Sequence, residues 1–307
     1  MEVSPPLSLK HLLCMFYRIP VFARFQWLNY PQVVSILSKF LKPSKRGRKG
    51  YDKVLMFRWL IYKHLMKCSY RDLESMSHID YSTFIKFRKR LICTSWFPRI
   101  FTTLTSVIAQ QRKAIFLLLD SSFVQTYSTH GEQGSAYSGY KEKNGFKLHQ
   151  IIDYATRLPL LQYATSGARA DVVWGTHMIR AAPCSWNVQG LAADKGYDSE
   201  YFVHDVFLKW KNAEIAIPLR NIPYGNEKNR RLRGAKRTNN PDLYNKRSEI
   251  ERYFSRKKRV FHLGEERTRH LKNFRANCYM TSIMEILEWL SKPELWMALF
   301  TKLNCTA

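Results

Sequence analysis

Apolar residues recur along this chain in two rhythms, and the change from one to the other marks its layout. Over residues 52–67, Val54, Leu55, Trp59, Leu60 and Ile61 mark the buried side of a predicted helix. Ser69, with Asp72 three residues on, is a capping-box start for a short helix through Leu73 and Met76. After His78-Ile79-Asp80 a third helix turns Phe84, Phe87 and Leu91 inward and Lys86, Arg88, Lys89 and Arg90 outward. Ile100, Phe101, Leu104, Val107 and Ile108 then form the stripe of a further helix. The rhythm changes at residues 115–120, IFLLLD, a continuous apolar run with the character of a buried strand, ending in an acid. Residues 131–144 read as a Gly/Ser/Tyr/Lys loop. Residues 146–153 and 158–163 flank the turn Tyr154-Ala155-Thr156-Arg157 as a hairpin. Asp171 is read as the N-cap of a helix running to about residue 182. Residues 188–194, VQGLAAD, form a second strand ending in an acid. Asp198 is read as the cap of a helix over 201–211, and residues 214–217 as a short strand. A last helix, 273–290, carries Phe274, Met280, Ile283, Met284 and Leu287. Strand, hairpin, helix, strand, helix, strand predicts a mixed α/β layer whose parallel pieces are linked through helices.

Four divisions follow: an arm and basic linker over 1–50, a helical region over 51–113, an α/β domain over 114–291 and a tail over 292–307. Within the linker, KPSKRGRKG (42–50) suits either a solvated hinge or a contact with a DNA backbone. The three short helices of 51–93, ending in a basic one, resemble a helix-turn-helix DNA-binding unit; a plain three-helix bundle with a basic surface is the alternative. Residues 220–243 lack any apolar period, and their seven positive charges against two negative ones predict a flexible basic loop.

Charge narrows the partners. Fifty Lys and Arg against 24 Asp and Glu give a net charge of +26 over 307 residues, which points to a polyanion, nucleic acid first. No stretch of about 18 uncharged apolar residues offers a membrane span, and the N-terminus lacks the order of a signal peptide. No membrane partner is therefore expected. Six scattered cysteines with no CxxC pair suggest neither a zinc framework nor a disulfide scaffold, but reduced residues in a cytoplasmic, nucleoid-associated protein.

The stretch 244–258, YNKRSEIERYFSRKK, focuses the chemistry. Read as one helix, it places Tyr244, Arg247, Glu251 and Lys258 on one face, within about 60°, with Ile250 and Phe254 on the other. Alone, this face is equally an ordinary solvated one with an Arg247–Glu251 pair. Asp120 and Asp194 weigh against that, since strand ends are where open α/β sheets place their sites. Two strand-end carboxylates and a helix carboxylate, Glu251, are hard-oxygen donors suited to Mg²⁺ or Mn²⁺. His149, with Lys147 on the same face, either touches DNA or is a hydrogen-bonded sheet histidine. Asp171 and Asp198 read as helix caps first, and Asp153 as serving the hairpin turn.

Tyr244-x2-Arg247-x3-Glu251-x6-Lys258 is similar, without deviation in spacing, to the Y-R-E-K signature of insertion-sequence transposases of the IS4/IS5 type, in the DDE superfamily. Ala193-Asp194-Lys195-Gly196-Tyr197-Asp198 resembles that family's second-aspartate motif, and Leu118-Leu119-Asp120-Ser121-Ser122 its first. The resemblance spans roughly residues 51–290. It implies an RNase H-like mixed sheet flanked by helices, preceded by a helical N-terminal DNA-binding region. It implies Asp120, Asp194 and Glu251 as catalytic residues holding two Mg²⁺ ions, with Mn²⁺ as substitute. Tyr244, Arg247 and Lys258 would contact phosphates at the transposon end, with Lys195, Lys86 and Lys89 as further DNA contacts. Double-stranded DNA, as transposon ends and as target, is the implied partner, bound by a homodimer. The activity implied is recognition of terminal inverted repeats, cleavage of the ends and their joining to target DNA. Two other readings remain: a transposase-derived DNA-binding protein without activity, and an RNase H-like nuclease that cuts without joining.

Overall fold

The computed structural model describes residues 27–42, 50–110, 112–126, 131–219, 241–264 and 269–291. Most of the predicted arm (1–26), linker residues 43–49, most of the basic loop (220–240) and the tail (292–307) lie outside the described residues. The chain divides into two compact units, Met1–Arg58 with Leu287–Ala307, and Trp59–Ile286. In the first, helix α1 (Pro31–Phe40) begins with a proline in its opening turn and buries Val33, Ile36 and Leu37.

Helix α2 spans Lys53–Met66. The capping box forms as expected at α3 (Tyr70–Ser77): the Ser69 hydroxyl accepts from the Asp72 amide at 3.1 Å, and Asp72 accepts from the Ser69 amide at 2.7 Å. Helix α4 (Tyr81–Cys93) buries Phe84 and Leu91 and leaves Lys86, Lys89 and Arg90 exposed. It leads into α5 (Trp96–Gln110). Among the described residues no single helix is long and apolar enough to cross a membrane.

The sheet has six strands: β1 (Ile115–Gln125), β2 (Ala136–Ser138), β3 (Lys143–Asp153), β4 (Pro159–Ser166), β5 (Val188–Ala193) and β6 (Glu214–Ala216). Their order is β2-β3-β1-β5-β6, with β4 also on β3. β1, β5 and β6 are parallel, and β3 runs against β1 and β4. Helices α6 (Asp171–Ala181) and α7 (Glu200–Lys209) connect the parallel strands. This is the mixed, helix-flanked RNase H-like sheet that the resemblance implied, with a helical region before it.

Side chains alternate between two faces. Leu118, Val124, Phe146, Leu148, Ile152 and Ala192 pack with Leu243 of α8 (Pro241–Asn245), with Ile250, Tyr253 and Phe254 of α9 (Ser248–Arg259), and with Phe274 and Cys278 of α10 (Leu271–Leu290). On the other face, α6 lies against β1, β3 and β4 and packs on α7. Gly175 of α6 allows the closest approach there, because a Cβ at that position would stand 2.8 Å from the Tyr197 ring and 3.2 Å from Leu119.

Several details differ from the sequence reading. β1 does not stop at Asp120 but continues to Gln125, because β3 supplies partners for the whole stretch Ser121–Gln125. The 131–144 segment contains a short strand, β2, paired with the start of β3. Asp171 is not an N-cap: Ala170 holds that position and Asp171 is the first helical residue, its carboxylate turned elsewhere. Nor is Asp198 the cap of α7, where Ser199 stands instead. The stretch 244–258 is two helices rather than one. Between them Arg247 N donates to Tyr244 O and Ile250 N to Arg247 O, a tighter three-residue spacing that breaks the helical register.

Candidate active site

The site is built where the parallel pairing of the sheet gives out. β1 and β5 are in register as far as Leu119 and Ala193. The next residue on each strand is acidic, Asp120 and Asp194, and in a parallel ladder such neighbours share a face, their strands about 4.8 Å apart. β5 stops at this point, so among the described residues Asp120 stands at a notch in the sheet while β1 runs on paired with β3. The carboxylates are held from their own backbones. Asp120 Oδ1 accepts from Ser121 N at 2.7 Å, and Asp194 Oδ1 accepts from Lys195 N at 2.6 Å, capping the 3₁₀ turn Lys195–Tyr197.

Burial is the main cause that pushes the Asp120 carboxyl up to about 6; repulsion from Asp194 and Asp171 adds to it, and the Ser121 amide and Arg247 oppose it. The two strand acids are thus close enough to feel one another, and Arg247 is close enough to offset them. The arginine in turn gathers the signature residues. Its guanidinium donates to Glu251 Oε1 at 2.8 Å and lies 5.7 Å from the centre of the Tyr244 ring. Burial works against its charge, yet Glu251, Tyr244 and Asp194 raise its pKa.

Asp120, Asp194, Arg247, Tyr244 and Glu251 therefore form one neighbourhood. Glu251 joins it through Arg247, with its side chain 58% exposed. Among the described residues no three of His, Cys, Asp or Glu are grouped as ligands of a metal ion. The donor set nonetheless fits a hard divalent cation: two adjoining carboxylates, one of them pushed toward protonation chiefly by burial, with an arginine as the cationic neighbour. Lys258 lies further along α9, half buried, and donates to Phe123 O on β1 at 3.3 Å. Its pKa is lowered by burial and by nearby Lys141. Lys195 is exposed beside Asp194, and Lys86 and Lys89 are exposed on α4.

The sequence reading set Asp171 aside as a cap, whereas it belongs to this neighbourhood. Its Oδ1 accepts from Ser121 Oγ at 2.7 Å, pairs with Lys147 Nζ at 3.0 Å and lies 3.5 Å from His149 Nδ1. His149 is fully buried and kept neutral, pushed down to about 4 by burial first. Its Nε2 meets the Thr165 hydroxyl at 2.9 Å, so the sheet-histidine reading holds. Tyr197 was also missed. Its buried ring lies under α6, and burial, then the charges of Asp120, Asp171 and Asp194, push its phenol well above the ordinary value. The available signal was topological: Asp171 opens the helix that follows the hairpin, which brings it back to β1.

A family model described as the transposase DDE domain matches residues 111–285. No curated protein matches the chain. A solved structure, a piggyBac transposase synaptic complex with hairpin DNA, is similar over 95% of this chain and 84% of that one, at 12% identity and a TM-score of 0.36. The family match takes in both strand aspartates, the signature helix and more than half of the chain: this protein belongs to the DDE transposase family.

Proposed function

We propose that this transposase, of the IS4/IS5 type, binds the terminal inverted repeats of its element, cleaves the ends and joins them to target DNA. The observation that carries the reading is that Asp120 and Asp194 directly follow the last β1–β5 pair, Leu119 and Ala193, with Arg247 of the signature stretch close enough to act on Asp120. Asp120, Asp194 and Glu251 would hold two Mg²⁺ ions, with Mn²⁺ as substitute; Glu251 would exchange its Arg247 partner for the cation. When bound, such ions activate water or a 3′-hydroxyl and stabilise the leaving oxygen of a phosphodiester.

The chain's own residues orient the DNA. Arg247, a planar fork, suits bidentate contact with a phosphate, and Lys258 and Lys195 supply point charges on either side of the acids. Tyr244 stacks against Arg247 and steadies its guanidinium. The helices of 51–93 would bind the inverted repeat, with Lys86 and Lys89 against the phosphate backbone. Two ends must be held together, which a homodimer on DNA would do, in a cytoplasmic, nucleoid-associated setting. The Arg247–Glu251 pair itself is what an inactive DNA-binding descendant would also display.

Labelled inverted-repeat ends incubated with the full chain and Mg²⁺ separate these readings. Joined products are expected, and they should vanish in Asp194→Ala. Cuts without joining would indicate a nuclease, binding without cuts a descendant without activity. Equal activity in Asp194→Ala would sink the assigned site.

A further inference from the structure

Asp171 makes more contacts around β1 than a helix-capping residue needs. Its Oδ1 takes the Ser121 hydroxyl at 2.7 Å and the Lys147 ammonium at 3.0 Å. Ser121 is the residue whose amide holds Asp120 Oδ1 at 2.7 Å. One peptide thus links two carboxylates on opposite faces of β1: its amide serves Asp120, and its side chain is tied to Asp171. The notch makes that link necessary, since β5 gives β1 no ladder partner beyond Leu119.

The surroundings give Asp171 little freedom. His149, fully buried, sets its two ring nitrogens against Thr165 Oγ1 at 2.9 Å and Asp171 Oδ1 at 3.5 Å. The buried Tyr197 phenol closes in as well, interacting with the Ser121 side chain and with the charges of Asp120 and Asp171. Lys147 Nζ is fixed from a second side by Arg169 O at 3.0 Å.

We propose that Asp171 is a positioning residue of the catalytic centre: by accepting the Ser121 hydroxyl it fixes the Asp120 peptide at the notch and so sets the geometry in which Asp120 and Asp194 hold a cation. The inference rests on the reading of Asp120 and Asp194 as cation ligands. On this proposal the hydrogen-bonding oxygen of Asp171 is what acts, and Lys147, at 3.0 Å, supplies its counter-charge. Partners that orient the ligands of a metal typically change its affinity by about 10–100-fold when removed.

The test is Mn²⁺ binding to the full chain, followed by electron paramagnetic resonance, with thermal unfolding measured alongside. Asp171→Ala should weaken Mn²⁺ binding about 10-fold or more. Ser121→Ala should weaken it in the same direction but less. Asp171→Asn keeps an oxygen for the hydroxyl and should restore affinity to within a few-fold of wild type. The Mg²⁺ needed for half-maximal end cleavage should shift by the same factors. Unchanged Mn²⁺ affinity in Asp171→Ala overturns the proposal, as does an equal loss in Asp171→Asn, which would make the charge the agent. A loss of affinity matched by a collapse in melting temperature in all three variants also overturns it. Asp120→Asn separates the levels. If it too leaves Mn²⁺ binding intact, the ligand assignment itself fails; if it alone abolishes binding, only the role of Asp171 fails.

Discussion

Helix α9 carries the same kind of ion pair on each of its two sides, in opposite surroundings. On the outer side Arg247, at its start, reaches Glu251 at 2.8 Å, with side-chain exposures of 21% and 58%. On the inner side Lys257 reaches Glu285 of α10 at 2.7 Å, and neither side chain is more than 2% exposed. The inner pair is enclosed in a buried network. Lys257 also donates to Tyr253 OH and Ser282 Oγ, while Tyr253 OH donates to Glu285 and Ser282 to Gln162. In the outer pair Glu251 is more than half exposed, and surface pairs of this kind contribute about 0–1 kcal/mol. A pair held that lightly can be exchanged for another partner, which is what a carboxylate awaiting a cation requires. The inner network fixes the helix so that the outer side can remain uncommitted.

The largest effect should come from breaking the inner pair. Lys257→Met leaves Glu285 buried without a counter-charge and is expected to cost about 3–5 kcal/mol in guanidinium unfolding. Adding Glu285→Leu should recover most of that. A loss below about 1 kcal/mol in the single variant would mean that the network does not anchor the helix.

Next comes Asp120. Its carboxyl is protonated more readily in the fold, at about 6, than at its ordinary 3.8. Its contribution to stability is therefore fully present at low pH and lost as pH rises through about 6. Metal-free Asp120→Asn should then be more stable than wild type near pH 7.5 by roughly 2–3 kcal/mol, a gap that closes toward pH 4. Thermal unfolding in chelator across that range reads the sign directly.

Gly175→Ala should cost about 1–3 kcal/mol by pressing on the buried Tyr197 ring, and end cleavage should fall with it. Melting curves together with cleavage rates measure both. The smallest change in stability belongs to the outer pair. Glu251→Gln should stay within about 0.5 kcal/mol of wild type while strand transfer is lost. If instead it destabilised the fold as much as Lys257→Met does, the contrast between the two sides of α9 would disappear.

The elements defined by apolar rhythm were legible in the sequence: the inward residues of α4, the strand at Ile115, the hairpin turn, β5, β6 and α10. So was the pairing of Asp120 with Asp194, because both follow apolar runs that pair in parallel. What escaped depends on partners distant along the chain. The stretch after Asp120 looks like a loop until β3 is laid beside it. Lys257 reads as one cation in a basic helix terminus, and nothing local shows that Glu285 and Ser282 will close around it. Asp171 satisfies every local rule for a helix cap; only the return of α6 to β1 gives its carboxylate Ser121 and Lys147 instead. The break before α9 was hidden because the 244–258 pattern fits one helix, and the register is lost only at Lys246 and Arg247.

The early end of β5 has a consequence for solubility as well. Among the described residues, one side of β1 has no strand beside it past Leu119, and an unpaired edge of this kind is a template for adding a strand from another molecule. Helix α9 lies against β1, and Lys258 places an ammonium on the carbonyl of Phe123. A lysine at a sheet edge is a common guard against intermolecular strand pairing. The signature helix thus protects the sheet that it equips. A substitution that loosened α9 would therefore also uncover an edge on which copies of this chain can pair.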